Sequence, residues 1–200
     1  MSIKNYQEKT LEYYDNSAKE YFNMSKDVDM SDIYKRFIKH LKTSSRILDF
    51  GCGSGRDAKK FIEMGYEVYA IDGSKELCVL ASEYLGIEVK HINFLEYKPS
   101  IKYDGIWACA SLLHLTSIEL NEVFNNLIES LNDEGILYTS FKYGSYEGIR
   151  GDRYYNDFDE EKLEEFLASF KNIKVIDKWI SDSAIKERDE KWLNMIIQKD

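Results

Sequence analysis

Apolar positions recur at three- to four-residue steps over residues 5–42, then give way to short runs separated by turns. Tyr6, Leu11, Tyr14, Ala18, Tyr21 and Phe22 form one stripe; Ile33, Phe37, Ile38 and Leu41 form a second. Both spacings predict amphipathic helices, with the polar stretch 25–31 as a loop between them. From residue 46 the pattern alternates. It predicts strands at 47–50, 67–71, 88–92, 105–110 and 136–141, with helices at 56–64, 75–84 and 118–131. Gly65 and Gly86 stand where helices stop. Residues 132–135 read as a turn, 143–152 as a glycine-rich loop and 159–169 as an acidic helix. Two strands, 173–180 and 191–198, close the chain with no helical pattern between them, so they should pair antiparallel at the sheet edge. The alternation predicts an α/β fold, a doubly wound and mostly parallel sheet with helices on both faces. One domain over 1–200 is expected, with a helical cap (1–44) lying over the strand ends of an α/β core (45–200).

The chemistry concentrates after the first strand of the core. There Asp49 is followed by Phe50 and by Gly51, Gly53 and Gly55 at alternate positions. Glycines allow a sharp turn and let a ligand rest on main-chain N–H groups at a helix start. The spacing departs from the dinucleotide pattern G-x-G-x-x-G, because the third glycine comes one place early and Arg56 stands where that pattern wants glycine. Arg56-Asp57 is also not the Lys-Ser/Thr pair of a P-loop. An acid directly before the glycines disfavours a pyrophosphate and suits a ligand carrying positive charge. The next strand ends in Asp72, 17 residues after Gly55, close to the spacing of a ribose-binding acid. Ser74 is the better cap for the following helix, which frees Asp72 for a ligand.

Charge and composition narrow the picture. The net charge of −9 argues against a broad nucleic-acid footprint. Lys35, Arg36, Lys39 and Lys42 cluster beside the second stripe and read as a solvated helix face. Three scattered cysteines, Cys52, Cys78 and Cys109, fit a reducing compartment. The N-terminus lacks an apolar signal core and no run reaches membrane-spanning length, so a soluble cytoplasmic protein is expected. No histidine–carboxylate cluster has ligand spacing, so no metal is implied.

The stretch 49–55 resembles the glycine-rich motif of class I S-adenosylmethionine (SAM)-dependent methyltransferases. The tellurite-resistance and ubiquinone-biosynthesis types share this core. The resemblance extends from Tyr13 to about Phe141. It includes a Tyr-Asp-x-x-Ala-x-x-Tyr lead-in (Tyr14 to Tyr21), Asp72, Asn93 and the pair Leu113-His114. It implies a seven-stranded Rossmann-like sheet with an antiparallel last strand and N-terminal helices over the site. It also implies SAM as cofactor and S-adenosylhomocysteine as product. Tyr14 and Tyr21 would cover the cofactor, Asp72 and Gly73 hold its ribose, and Asn93 and Phe94 its adenine. The backbone near Cys109 and Ala110, with Arg56, would take its methionine end. Asp is usual where this chain has Asn93.

Methyl transfer to a small-molecule acceptor by in-line displacement is the expected activity. A base is needed only if the acceptor must lose a proton; His114, Asp152 and Tyr143 are the candidates, in that order. Arg150 and Arg153, with Tyr154, Tyr155, Arg188 and Trp192, suit a substrate pocket. Two rivals stand beside this reading: a tRNA wobble-uridine methyltransferase, which needs a basic face near the site, and a SAM- or partner-binding module without catalysis. The state expected is monomer or homodimer, away from membranes.

Overall fold

The computed structural model describes residues 4–185 and 188–200. Its N-terminal part holds α1 (Lys4–Asn16), α2 (Ala18–Ser25) and α3 (Ser31–Ile38). The alternating part runs β1 (Arg46–Phe50), α4 (Arg56–Glu63), β2 (Glu67–Asp72), α5 (Lys75–Leu85), β3 (Val89–His91), β4 (Tyr103–Ala108), α6 (Ser117–Ser130) and β5 (Leu131–Lys142). After it come β6 (Glu147–Arg150), β7 (Arg153–Asn156), α7 (Glu160–Leu167), β8 (Ile173–Asp182) and β9 (Lys191–Lys199). Seven strands form one sheet in the order β3-β2-β1-β4-β5-β9-β8. β1 to β5 are mutually parallel, and β9 is antiparallel to both β5 and β8. The expected doubly wound α/β sheet is therefore present. The last strand is inserted between β5 and the edge strand β8 rather than lying at the edge itself.

β1 is buried on both faces, as a central parallel strand must be. Leu48 and Phe50 point into one apolar layer with Ile106, Leu113 and Phe124. Ile47 points into the other, among Phe37, Phe61 and Trp107. The second layer is completed by α3. Phe37 lies so close to β4 that a Cβ on Gly105 would stand 2.8 Å from its Cζ, so only glycine allows this approach.

Two predicted loops are more ordered than their composition suggests. The turn 132–135 lies within β5, where pairing passes from Tyr103↔Leu131 to Gly105↔Ile136 across a bulge, with Glu134 at φ 62°. The loop 143–152 contains β6, which pairs antiparallel with β7. Tyr154 Oη donates to Glu147 on this hairpin, and Arg150 pairs with Asp157 at its base, contacts between residues that single-strand periodicity does not register.

The sheet order reverses at β1, between β2 and β4. Ligand clefts in open α/β sheets form outside the carboxyl ends of the strands at such a switch.

Candidate active site

At the end of β1 the chain turns on glycines held at positive φ: Gly51 at 81°, Gly53 at 55° and Gly55 at 78°. The Gly51 and Cys52 N–H groups both donate to the Ile71 carbonyl of β2. A Cβ on Gly51 would meet Ser111 Cβ at 2.5 Å, and one on Gly53 would meet Tyr21 Cε1 at 3.1 Å. Both glycines border a cavity of about 90 Å³. Gly55 serves a different contact: it lets α4 pack on α5, its missing Cβ facing Leu85 and Ala81.

The cavity floor continues across the strand ends. Asp72 is buried, and its two oxygens accept from Gly53 N–H and Ser74 N–H, each at 2.8 Å. Burial pushes its carboxyl up, and the backbone donors pull against that shift. Ser74 caps α5 through Leu77 N–H, as expected. Gly73, Asn93 and Phe94 line the same cavity, and Asn93 Oδ1 also accepts from Leu95 N–H. Asp49 does not reach it. Its Oδ2 accepts from Ala58 N–H at 3.0 Å, which fastens the start of α4. Burial, with Asp57 nearby, raises its pKa.

The opposite wall follows β4. Ala110 takes φ 51°, a strained value for a residue with Cβ, and donates its N–H to Ser140 Oγ. Cys109, Ala110, His114, Tyr14 and Tyr21 border both this cavity and a second one of about 230 Å³. The roof is the face of α1 carrying Gln7, Leu11 and Tyr14, one helical stripe. Gln7, Leu11 and Ser111 escaped the sequence reading, although the first two share the stripe of Tyr14. Asp15 fixes this helix by accepting from Ser74 Oγ at 2.6 Å.

His114 Nδ1 lies 2.6 Å from the Tyr154 carbonyl and Nε2 lies 2.9 Å from Tyr14 Oη. Burial lowers its pKa to about 4. Arg56 clasps Asp57 with two N–H groups, at 2.6 and 2.8 Å. Asp57 also accepts from Tyr34 Oη and Trp107 Nε1. Burial alone would raise this carboxyl, but Arg56 and these donors hold it below its ordinary value. Arg56 borders the second cavity, not the first.

Two expected acid–base residues are elsewhere. Tyr143 Oη donates to Glu160 on α7, and Asp152 is exposed at the β6–β7 turn. Neither borders either cavity: Asp152 lies at the tip of the β6–β7 hairpin, and Tyr143 follows β5 and turns to α7. They are dropped as candidate bases.

A family model described as a methyltransferase domain matches residues 47–135, the segment that builds the glycine turn, Asp72, Asn93 and His114. A methyltransferase of Anoxybacillus flavithermus, itself uncharacterised, is 31% identical over 111 residues, 54% of this chain and 52% of that protein. These matches support a likeness to the class I SAM-dependent methyltransferases. A second uncharacterised methyltransferase, from Staphylococcus carnosus, is 25% identical over 82% of this chain and 84% of its own length. Among solved structures, the Burkholderia thailandensis 1,6-didemethyltoxoflavin-N1-methyltransferase, crystallised with 1,6-didemethyltoxoflavin and S-adenosylhomocysteine, has the same fold. It superposes with a TM-score of 0.79 at 20% identity, over 100% of this chain and 91% of that one. The [4+2]-cyclase SpnF has the fold too, with a TM-score of 0.71 at 15% identity over 94% of each chain, so architecture alone does not assign a reaction to a methyltransferase-like sheet.

Proposed function

We propose that this methyltransferase transfers a methyl group from SAM to a small-molecule acceptor by in-line displacement, releasing S-adenosylhomocysteine. The observation that carries this reading is the pair of cavities meeting at one wall, Cys109-Ala110 with Tyr14, Tyr21 and His114. The first cavity suits the cofactor: a Cβ would fill the space beside Gly51 and Gly53, and Asp72 keeps lone pairs beyond its two backbone donors. Asp72 would accept from ribose hydroxyls, Asn93 and Phe94 would hold adenine, and Gly53 with Ala110 would border the methionine end. When bound, the cofactor supplies a methyl made electrophilic by its sulfonium.

The protein's part is then to orient the acceptor and exclude water. Tyr14 and Tyr21 do the second from the roof. His114 is a positioning residue here, since its pKa is low and Tyr14 occupies the only nitrogen able to take a proton. Of the basic residues that a tRNA face would draw on, Lys35, Arg36, Lys39 and Lys42 with Arg150 and Arg153, four are paired with acids: Lys35 with Asp32, Arg36 and Lys39 with Asp177, and Arg150 with Asp157. That supports a small acceptor over a nucleic acid.

Calorimetric titration with S-adenosylhomocysteine and with NAD tests the cofactor assignment. Micromolar binding of the first and none of the second is expected. Binding of neither overturns it.

A further inference from the structure

The second cavity carries charge opposite to the chain as a whole. Among the described residues its border holds four cations, Arg56, Lys142, Arg153 and Arg188, against two carboxylates, Asp182 and Glu190, with Asp57 behind it pairing Arg56, in a protein of net charge −9. Three cations surround the buried ring of Tyr155. Arg150 Cζ lies 4.9 Å from the ring centroid, Lys142 Nζ 5.2 Å and Arg153 Cζ 5.3 Å. Two of these are neutralised: Arg150 pairs with Asp157 at 2.6 Å, and Lys142 pairs with Glu190. Arg153 has no carboxylate partner among the described residues. It is half-buried, lies 4.3 Å from the Tyr13 centroid, and makes one long side-chain hydrogen bond, 3.4 Å to Tyr14 Oη.

A guanidinium has about five N–H donors in a fixed fork that matches a carboxylate. Holding one half-buried without an anion is unfavourable, and an anion in the cavity would satisfy it. The border also holds Tyr138, Tyr155, Trp192 and Leu113, flat or apolar side chains beside the polar Ser140, Ser181 and Asn194. Such walls favour an aromatic body over a hydrated polyol.

Resting on the methyl-transfer reading above, we infer that the acceptor is a small aromatic carboxylate whose acid group is held by the Arg153 fork in the second cavity. The acid recognised is bound there as an anion, and Arg153 selects it over the neutral amide of the same shape.

The test uses benzoate and benzamide as probes, titrated into the full chain with and without saturating S-adenosylhomocysteine. Benzoate is expected to bind about tenfold or more tightly than benzamide, with the preference lost in Arg153→Met and partly kept in Arg153→Lys. Affinity for S-adenosylhomocysteine should change less than about threefold in both variants. Equal affinities for the two probes, no saturable benzoate binding, or a preference undiminished in Arg153→Met overturns the inference. A failure of S-adenosylhomocysteine to bind the unmodified chain overturns the methyl-transfer reading, while the probe comparison in its absence still scores the acid preference.

Discussion

Tyr14 and His114 are joined by a 2.9 Å hydrogen bond whose direction is set from behind the imidazole. Nδ1 faces the Tyr154 carbonyl at 2.6 Å, so it carries the proton and donates. Nε2 is left with its lone pair, and the Tyr14 hydroxyl donates to it. One end of α1 is thereby tied to the loop after β4 and, through Tyr154, to the β6–β7 hairpin.

This geometry gives a pH dependence. Burial lowers the His114 pKa from 6.5 to about 4, so the folded protein binds fewer protons than the unfolded chain between those values. The stabilisation is fully present above pH 6.5 and is lost as pH falls toward 4; it amounts to up to about 3 kcal/mol. Urea denaturation at a series of pH values should show the loss. In His114→Asn that component should be absent, and an unchanged pH slope there would assign it to other groups.

Tyr14→Phe removes the donor and leaves Nε2 unpaired. A stability loss of about 1–2 kcal/mol is expected, along with a higher His114 pKa by NMR titration if water enters beside the ring. A His114 pKa of 6 or above in the unaltered protein would contradict the burial argument.

Gly53→Val tests the turn. The position has φ 55° and its Cβ would stand 3.1 Å from Tyr21. S-adenosylhomocysteine affinity should fall at least about a hundredfold, while circular dichroism still reports a folded chain. Normal affinity would remove the first cavity as the cofactor site.

Asp72→Asn keeps the shape and removes the charge. Affinity for S-adenosylhomocysteine should drop by about 1–3 kcal/mol in calorimetry, because hydrogen bonds to a charged acceptor are lost. An unchanged value would leave Asp72 as a backbone brace for Gly53 and Ser74 alone.

Asp57→Asn addresses the hub beneath the second cavity. It leaves the Arg56 guanidinium buried without its bidentate partner, so about 3–5 kcal/mol of stability should be lost. A urea midpoint shift worth less than about 1 kcal/mol would mean that Tyr34, Trp107 and Arg56 are held by packing.

Periodicity made the sheet legible because most core strands are buried on both faces and most helices carry one apolar stripe. The residues of the first cavity were equally legible where the backbone itself is the signal, at Gly51, Gly53, Asp72 and Asn93. What failed depended on side-chain partners remote in sequence. Asp49 looked wholly available to a ligand, yet Ala58 N–H takes one of its oxygens. Gly55 looked like part of the ligand turn, yet it answers to Leu85. Asp152 and Tyr143 sat in a glycine-rich stretch that composition reads as a loop; Asp152 lies at the hairpin tip, and Tyr143 donates to Glu160. Asp57, which gathers Arg56, Tyr34 and Trp107, had no local mark beyond following an arginine.

The seating of Phe37 over Gly105 bears on where this chain can be cut. α1 and α2 roof the cavities from outside the sheet, whereas α3 supplies part of the filling between sheet and solvent, with Met30 and Tyr34 in the same layer. Excision at residue 44 would strip one face of β1 and β4 and expose Trp107. Excision between α2 and α3 would remove the roof and spare the layer, a cut inside the helical cap that the sequence outlines.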